Sequence, residues 1–275
     1  MSASTAGRGR ILVMGGGAVG LAFAAACADE VRVLEAGPAR PGTDPEGFDI
    51  RVFALSGGTR DFLDGIGAWG RMPPSRIAPV TRMEVFGDDG ASRLAFAAPP
   101  GRPLAWIAEG NRMTRAIEEA ARGRGVAIET DCRWKAVAAR AGRAKVELED
   151  GATREADLLV GADGAQSRVR AELALAAHAK RYPETAVVAH FRCEKPPAGV
   201  ARQWFRRDGI LAWLPLPGDR MSIVWSARDG LADELAALDP EALARRVRDA
   251  GGAALGELSL DSAVARFPLR LVRVP

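Results

Sequence analysis

Hydrophobic positions along the first 36 residues form two short apolar runs around a charge-free stretch broken by glycines. The runs Ile11-Leu12-Val13-Met14 and Val31-Arg32-Val33-Leu34 have the length and composition of buried strands. Between them, Gly15-Gly16-Gly17-Ala18-Val19-Gly20 leads into an Ala-rich segment of helical length. The pattern predicts strand, glycine turn, helix and second strand over residues 10–36, closed by Glu35. Downstream, Phe62, Leu63 and Ile66 give residues 59–67 helical spacing, and Met113, Ile117 and Ala120 set one apolar face on a helix over 112–122. Strands are predicted at 80–87 and 92–96 around Asp88-Asp89-Gly90, and at 126–130, 134–139 and 145–149. The apolar run 156–161 ends in Asp163-Gly164 and a basic helix start near Arg168. From 185 to 227 the chain alternates, with strands at 186–193, 202–206, 210–216 and 221–227 and turns at Pro196-Pro197 and Pro217-Gly218-Asp219. Asp239-Pro240-Glu241 supplies an N-cap and a first-turn proline for a helix over 242–250. The expected fold class is α/β: a dinucleotide-binding, Rossmann-like domain followed by a second, mainly antiparallel β-sheet.

The first turn carries the candidate chemistry. Gly15 lets the chain turn sharply off its strand, Gly17 lets the backbone approach a diphosphate, and Gly20 lets the helix pack closely on the sheet. A diphosphate would rest on the helix N-terminus, where unpaired N–H groups and the dipole favour an anion. Glu35 is placed to accept hydrogen bonds from a ribose, and its charge repels a 2′-phosphate, so the site suits FAD or NAD and not NADP. A signal peptide or membrane span competes for residues 11–28, which carry no charge and follow Arg8 and Arg10. Four glycines interrupt that run, and such a segment leaves the Glu35 spacing unexplained.

Composition narrows the picture. With 275 residues, 48% hydrophobic and 27% charged, the chain suits one large or two small domains with real cores. The net charge is +3, carried almost wholly by scattered arginines, and there is a single tyrosine. That argues against a nucleic-acid surface and leaves peripheral contact with an anionic membrane open. Cys27, Cys132 and Cys193 are far apart and odd in number, which points to a reducing, cytoplasmic location, with the inner-membrane periphery as the open alternative. His178 and His190 are the only histidines, so a histidine-based metal site or triad is not expected. Residues 1–9 read as a frayed terminus.

The fingerprint with Glu35, then Asp49-Ile50-Arg51-Val52-Phe53-Ala54-Leu55-Ser56, then Leu63-Asp64-Gly65-Ile66-Gly67-Ala68-Trp69, resembles the flavoprotein aromatic hydroxylases. The likeness continues through Leu104–Ile107 and the Asp163-Gly164 motif to Ser167-Arg168. Segments 203–205, 210–216 and 222–226 resemble the substrate-domain strands of the ubiquinone-biosynthesis branch. The resemblance implies an FAD-dependent monooxygenase that hydroxylates an aromatic ring of a polyprenylated phenol or quinone precursor. It would use NAD(P)H and O₂ through a flavin C4a-hydroperoxide, with other ubiquinone-biosynthesis proteins as further partners. An FAD domain over 1–182, with an inserted strand segment around 76–107, would precede a substrate-domain sheet and helix over 183–275. A non-catalytic accessory subunit that binds prenylated phenols or partner hydroxylases is the alternative. A simple NAD-linked oxidoreductase fits less well, because it needs neither the second sheet nor Asp163-Gly164.

The resemblance gives Gly15, Gly17, Gly20 and Glu35 the ADP half of the cofactor. It sends Arg51 toward the flavin and its diphosphate, against the plainer reading of a surface arginine. It makes Asp163 and Gly164 the motif between flavin binding and nicotinamide access, against a purely structural turn. No side chain is assigned as catalytic, since the flavin carries the chemistry. Trp204, Trp213, Trp225 and Phe205 read as core before substrate platform, His190 reads as a sheet residue, and Glu109-Gly110-Asn111-Arg112 receives no role. Two departures stand out. The Gly20–Glu35 interval, containing Asp29-Glu30, is about one helical turn short, so the first helix should be short. The family's later Gly-Asp motif, expected after Phe267-Pro268-Leu269, is not reached before Pro275, so the chain reads as C-terminally incomplete.

Overall fold

The computed structural model describes residues 11–27, 30–42, 47–140 and 142–274. The expected frayed terminus at 1–9 and the departure at Asp29 lie outside the described residues. The chain opens with β1 (Ile11–Met14), α1 (Ala18–Cys27) and β2 (Val31–Leu34), as the glycine spacing predicts. After β3 (Val52–Leu55), Ser56 caps α2 (Gly57–Gly65) by accepting from the Thr59 amide at 3.2 Å. Four strands follow, β4 (Ile77–Val80), β5 (Arg82–Phe86), β6 (Arg93–Ala97) and β7 (Ala105–Glu109), and lead into α3 (Gly110–Gly123). Then come β8 (Ala127–Glu129), β9 (Trp134–Arg140), β10 (Arg143–Leu148), β11 (Thr153–Ala156), β12 (Leu158–Gly161) and the short α4 (Arg168–Glu172). The last third holds β13 (His178–Cys193), β14 (Val200–Arg206), β15 (Gly209–Pro215), β16 (Arg220–Arg228), α5 (Asp229–Ala237), α6 (Pro240–Ala250), β17 (Leu258–Leu260) and β18 (Ala265–Arg273).

β1, β2, β8 and β12 form a parallel sheet in the order β12-β1-β2-β8. Alternation along β1 explains its two-sided burial. Val13 packs with Leu21, Ala24, Ile117 and Ala120 on the helical side. Leu12 and Met14 pack with Trp134, Val137, Val146 and Leu148, on the side covered by the antiparallel sheet β11-β10-β9. Ile117 and Ala120 are buried, as the helical spacing requires.

The second sheet has eight strands. Its path runs β17-β13-β16-β15-β14-β5-β6, and β18 also pairs with β13. Every pairing is antiparallel except β14 with β5. Here the structure differs from the sequence reading in three ways. β13 starts at His178, so the expected boundary between 182 and 183 falls inside a strand. The segment expected as one insertion at 76–107 is divided: β5 and β6 join the large sheet, whereas β4 and β7 form the small antiparallel sheet β3-β7-β4. Helix α5 and strands β17 and β18 were not predicted at all. Trp213 and Trp225 are buried among Leu235, Leu243 and Val247 of α5 and α6, whereas Phe205 is 48% exposed. A small apolar cluster of Ala78, Val80, Ile107, Ala201 and Leu216 joins the three-stranded sheet to the large one.

Candidate functional site

At the C-terminal ends of the parallel strands lies a cleft of about 330 Å³ lined by Gly15, Gly17, Leu34, Glu35, Ala36, Trp134, Ala162, Asp163 and Gly164. The glycines differ in what they are for. Gly15 has φ +110°, and a Cβ there would stand 2.5 Å from the carbonyl oxygen of Ala162, so the fold itself excludes a side chain. A Cβ on Gly20 would collide with the carbonyl oxygen of Gly15, which is the close helix–strand approach expected of the third glycine. A Cβ on Gly17 would meet nothing within 4 Å. Protein packing gives no reason for a glycine at 17; space for a bound molecule does. Gly17 lies at the start of α1, whose first turn carries no acidic residue, so the helix end is open to an anion. These residues fit the diphosphate of a dinucleotide.

Glu35 sits at the end of β2. Its carboxylate accepts from the Gly16 amide at 2.7 Å and the Gly37 amide at 2.8 Å. Each oxygen takes one backbone N–H and keeps further acceptor capacity for a hydroxyl group. Arg40 donates to the Gly16 carbonyl and pairs with Glu118 at 3.3 Å. Asp163 accepts from the Ser167 hydroxyl at 2.5 Å and the Val169 amide at 3.0 Å, so its side chain organises the start of α4. Gly164 has φ +88°, a conformation that favours glycine. Six of the seven predicted residues thus meet here, five lining the cleft and Gly20 packing beneath it. Arg51 is not among the lining residues. It is exposed, and its backbone bonds to Asp49 and to the Gly110 amide.

Two features escaped the sequence reading. The Arg168 guanidinium lies 4.2 Å over the Trp134 ring and so fixes one wall of the cleft. Glu109 is 1% exposed at the end of β7. It accepts from Arg76 at 2.8 and 2.9 Å, from Arg112 at 2.9 Å and from the Asp49 amide at 2.9 Å. The Asp49 carboxylate in turn accepts from the Asn111 amide at 2.8 Å, and its carbonyl lies 2.9 Å from Nε2 of His190 on β13. This polar hub ties the loop before Arg51, the start of α3 and the large sheet together. An acid closing an otherwise apolar strand, with Asn111 and Arg112 just beyond, was the available signal. Burial holds the His190 pKa below the usual imidazole range, against the opposing pull of the Asp49 carbonyl. Burial also pushes the Cys193 thiol up to about 12. Among the described residues no group of His, Cys, Asp and Glu is arranged to hold a metal ion.

The profile of the family described as FAD binding domain matches residues 8–267. The chain belongs to this family. Among the relatives of this FAD-binding protein is the ubiquinone hydroxylase UbiL of Rhodospirillum rubrum, 33% identical over 245 residues, which are 84% of this chain and 54% of the relative. The ubiquinone biosynthesis monooxygenase COQ6 of Xenopus tropicalis is 30% identical over 259 residues, 87% of this chain and 56% of the relative. The 3-demethoxyubiquinol 3-hydroxylase of Escherichia coli is 30% identical over 220 residues, 78% and 56% of the two chains. The chain spans about half the length of these curated relatives. Their names leave the accessory-subunit alternative without support. The solved structure of PqsL from Pseudomonas aeruginosa with 2-aminobenzoylacetate superposes with a TM-score of 0.73 at 21% identity, covering 93% of this chain and 74% of that one. The flavin-dependent monooxygenase PieE, solved with FAD and substrate, gives 0.73 at 16%, covering 98% and 51%. These two share the fold. No helix among the described residues is long and apolar enough to cross a membrane.

Proposed function

We propose that the protein is an FAD-dependent monooxygenase that hydroxylates an aromatic ring of a polyprenylated phenol or quinone precursor in ubiquinone biosynthesis, with NAD(P)H and O₂ as co-substrates. The observation that carries the reading is the cleft with Gly17 facing open space at the start of α1, in a chain whose curated relatives are ubiquinone hydroxylases. In this reading the turn from Gly15 to Gly17 and the first amides of α1 hold the diphosphate, and Gly20 keeps that helix close to the sheet. Glu35 accepts from a ribose hydroxyl. Asp163 and Gly164 border the path toward the flavin ring, and Arg51 supplies a positive charge to the cofactor. The flavin, when bound, supplies the redox chemistry that activates O₂. The chain's own task is to bind, to orient the ring and to exclude water. We also propose that residues before β13 form the cofactor unit, except β5 and β6, and that the large sheet with α5 and α6 forms the substrate unit.

The test is to incubate the FAD-loaded protein with a prenylated phenol, NAD(P)H and isotopically heavy O₂, and to analyse the phenol by mass spectrometry. One labelled oxygen atom per product ring is expected. Consumption of NAD(P)H with release of peroxide and no labelled phenol would sink the hydroxylase reading.

A further inference from the structure

The edge strand β6 is exposed along its whole length, with Leu94 62% and Phe96 51% exposed. Edge strands are ordinarily blunted with charge or proline, and here two large apolar side chains stand on one face. The pairing register shows what lies beside them. Leu94 is opposite Val85, Val85 is level with Gln203, Gln203 with Ala212, and Ala212 with Val224. This row crosses five strands, and at about 4.8 Å per strand it is ~19 Å long. Beside it stand Phe205 and Ile210, 48% and 37% exposed and directly paired.

Neither row holds a charge. The charged residues of β5, β6 and β14 stand on the opposite face, where Glu84 pairs with Arg93 at 2.6 Å, Arg82 at 3.1 Å and Arg202 at 3.2 Å, whereas Arg220 and Arg228 stand on the face of Val224 at the two ends of β16, outside these rows. The row on the other side of Leu94 starts at Phe96 and continues through Met83 and Ala201, which pack against Ile107 and Val52 of the small sheet. The uncharged strip therefore begins where the large sheet meets the cofactor unit and runs outward to solvent at β6.

We propose that this strip holds the isoprenoid tail of the substrate, with Leu94 and Phe96 as the side chains that select for a tail. The proposal rests on the prenylated-phenol reading above. An isoprenoid chain has no hydrogen-bonding groups and is long and narrow, and the strip is uncharged, offers one amide at Gln203 and one hydroxyl at Ser226, and has matching proportions.

The experiment titrates a dansyl-tagged farnesyl chain into the 275-residue protein and follows its fluorescence, with unlabelled farnesol as competitor. Leu94→Glu and Phe96→Glu replace exposed side chains, so the fold is expected to tolerate them, with circular dichroism as the check. Each should weaken probe binding at least tenfold. Leu238→Glu, at a 38%-exposed position between α5 and α6, should leave it unchanged. In the FAD-loaded enzyme, either strip variant should lower the ratio of kcat/KM for a farnesylated phenol to kcat/KM for its methyl analogue at least tenfold. Equal loss with Leu238→Glu, or no loss in the strip variants, overturns the proposal. So does light scattering that shows the strip variants splitting a dimer while probe binding persists, because a second copy then covers the face. If the wild type binds the probe on the strip but hydroxylates neither phenol, the hydroxylase reading fails and the strip assignment stands.

Discussion

Three glycines with the same spacing role in sequence are physically unlike one another. Gly15 and Gly20 are fixed by the protein's own backbone, whereas Gly17 is surrounded by space. Gly15→Ala or Gly20→Ala should therefore destabilise the fold by more than the 1–3 kcal/mol, roughly, of ordinary overpacking, because backbone has to move. Gly17→Ala should leave the urea midpoint unchanged or slightly raised, since alanine restricts the unfolded chain, while weakening FAD binding at least tenfold. Equal loss of stability in all three variants would refute the assignment of Gly17 to ligand space. His190 supplies a second residue-level test. Its pKa is lowered by burial, so the unfolded chain binds the proton more readily than the folded one. Stability from this group is complete above the unfolded imidazole value of about 6.5 and falls as pH drops below it. Thermal midpoints measured from pH 7.5 down to 5.5 should decline, and His190→Gln should flatten that decline. The carboxylates Glu84 and Glu129, whose burial is outweighed by arginine partners, act only at lower pH. The glycine spacing and Glu35 were legible because each has a local steric or electrostatic cause. The Glu109 hub was not, because its partners Arg76, Asp49 and His190 are distant in sequence and no local pattern joins them.

At the scale of elements, strands and helices with strong periodicity were read correctly, and those whose character depends on neighbours were missed. α3 shows the first kind: Ile117 and Ala120 face the core as their spacing requires. α5 shows the second, since it buries only Ala232 and Leu235 and begins at Asp229-Gly230, a pair that reads as a turn. β18 was invisible because a strand holding Pro268 gains its identity only from pairing with β13. The split of 76–107 between two sheets likewise follows from the parallel pairing of β5 with β14, a long-range contact with no local signature. What fastens these elements can be measured. Glu109 is buried and accepts from two arginines and a backbone amide, so Glu109→Ala removes the carboxylate that two half-buried guanidinium groups share. A loss of about 3–5 kcal/mol in urea unfolding is expected. Glu147→Ala, which removes the exposed pair with Lys135 at 3.3 Å, should cost less than about 1 kcal/mol. Comparable costs for the two would mean that the hub is not what secures the Asp49 loop.

At the scale of the whole molecule, two large apolar cores flank a small junction. One core lies between the parallel sheet and helices α1 and α3, the other between the large sheet and helices α5 and α6. They communicate through the small cluster around Ile107 and Ala201 and through the bond between Asp49 and His190. Chains of this size often unfold in more than one step, so whether this junction makes one cooperative unit is a physical question with a direct readout. Trp134 lines the cleft, and Trp225 is buried in the far core. Proteins that retain only one of these tryptophans therefore report separately on the two halves. FAD binds only the folded cleft, so at a hundredfold excess over its Kd it should add about 2.7 kcal/mol to any transition that destroys the cleft. If the junction couples the halves, the Trp225 transition in urea should shift as far as the Trp134 transition. His190→Phe, which removes the bond to the Asp49 carbonyl and keeps an aromatic volume in the sheet, should then separate the two curves. If the Trp225 curve ignores FAD already in the wild-type background, the halves unfold independently and the junction is only a contact between them.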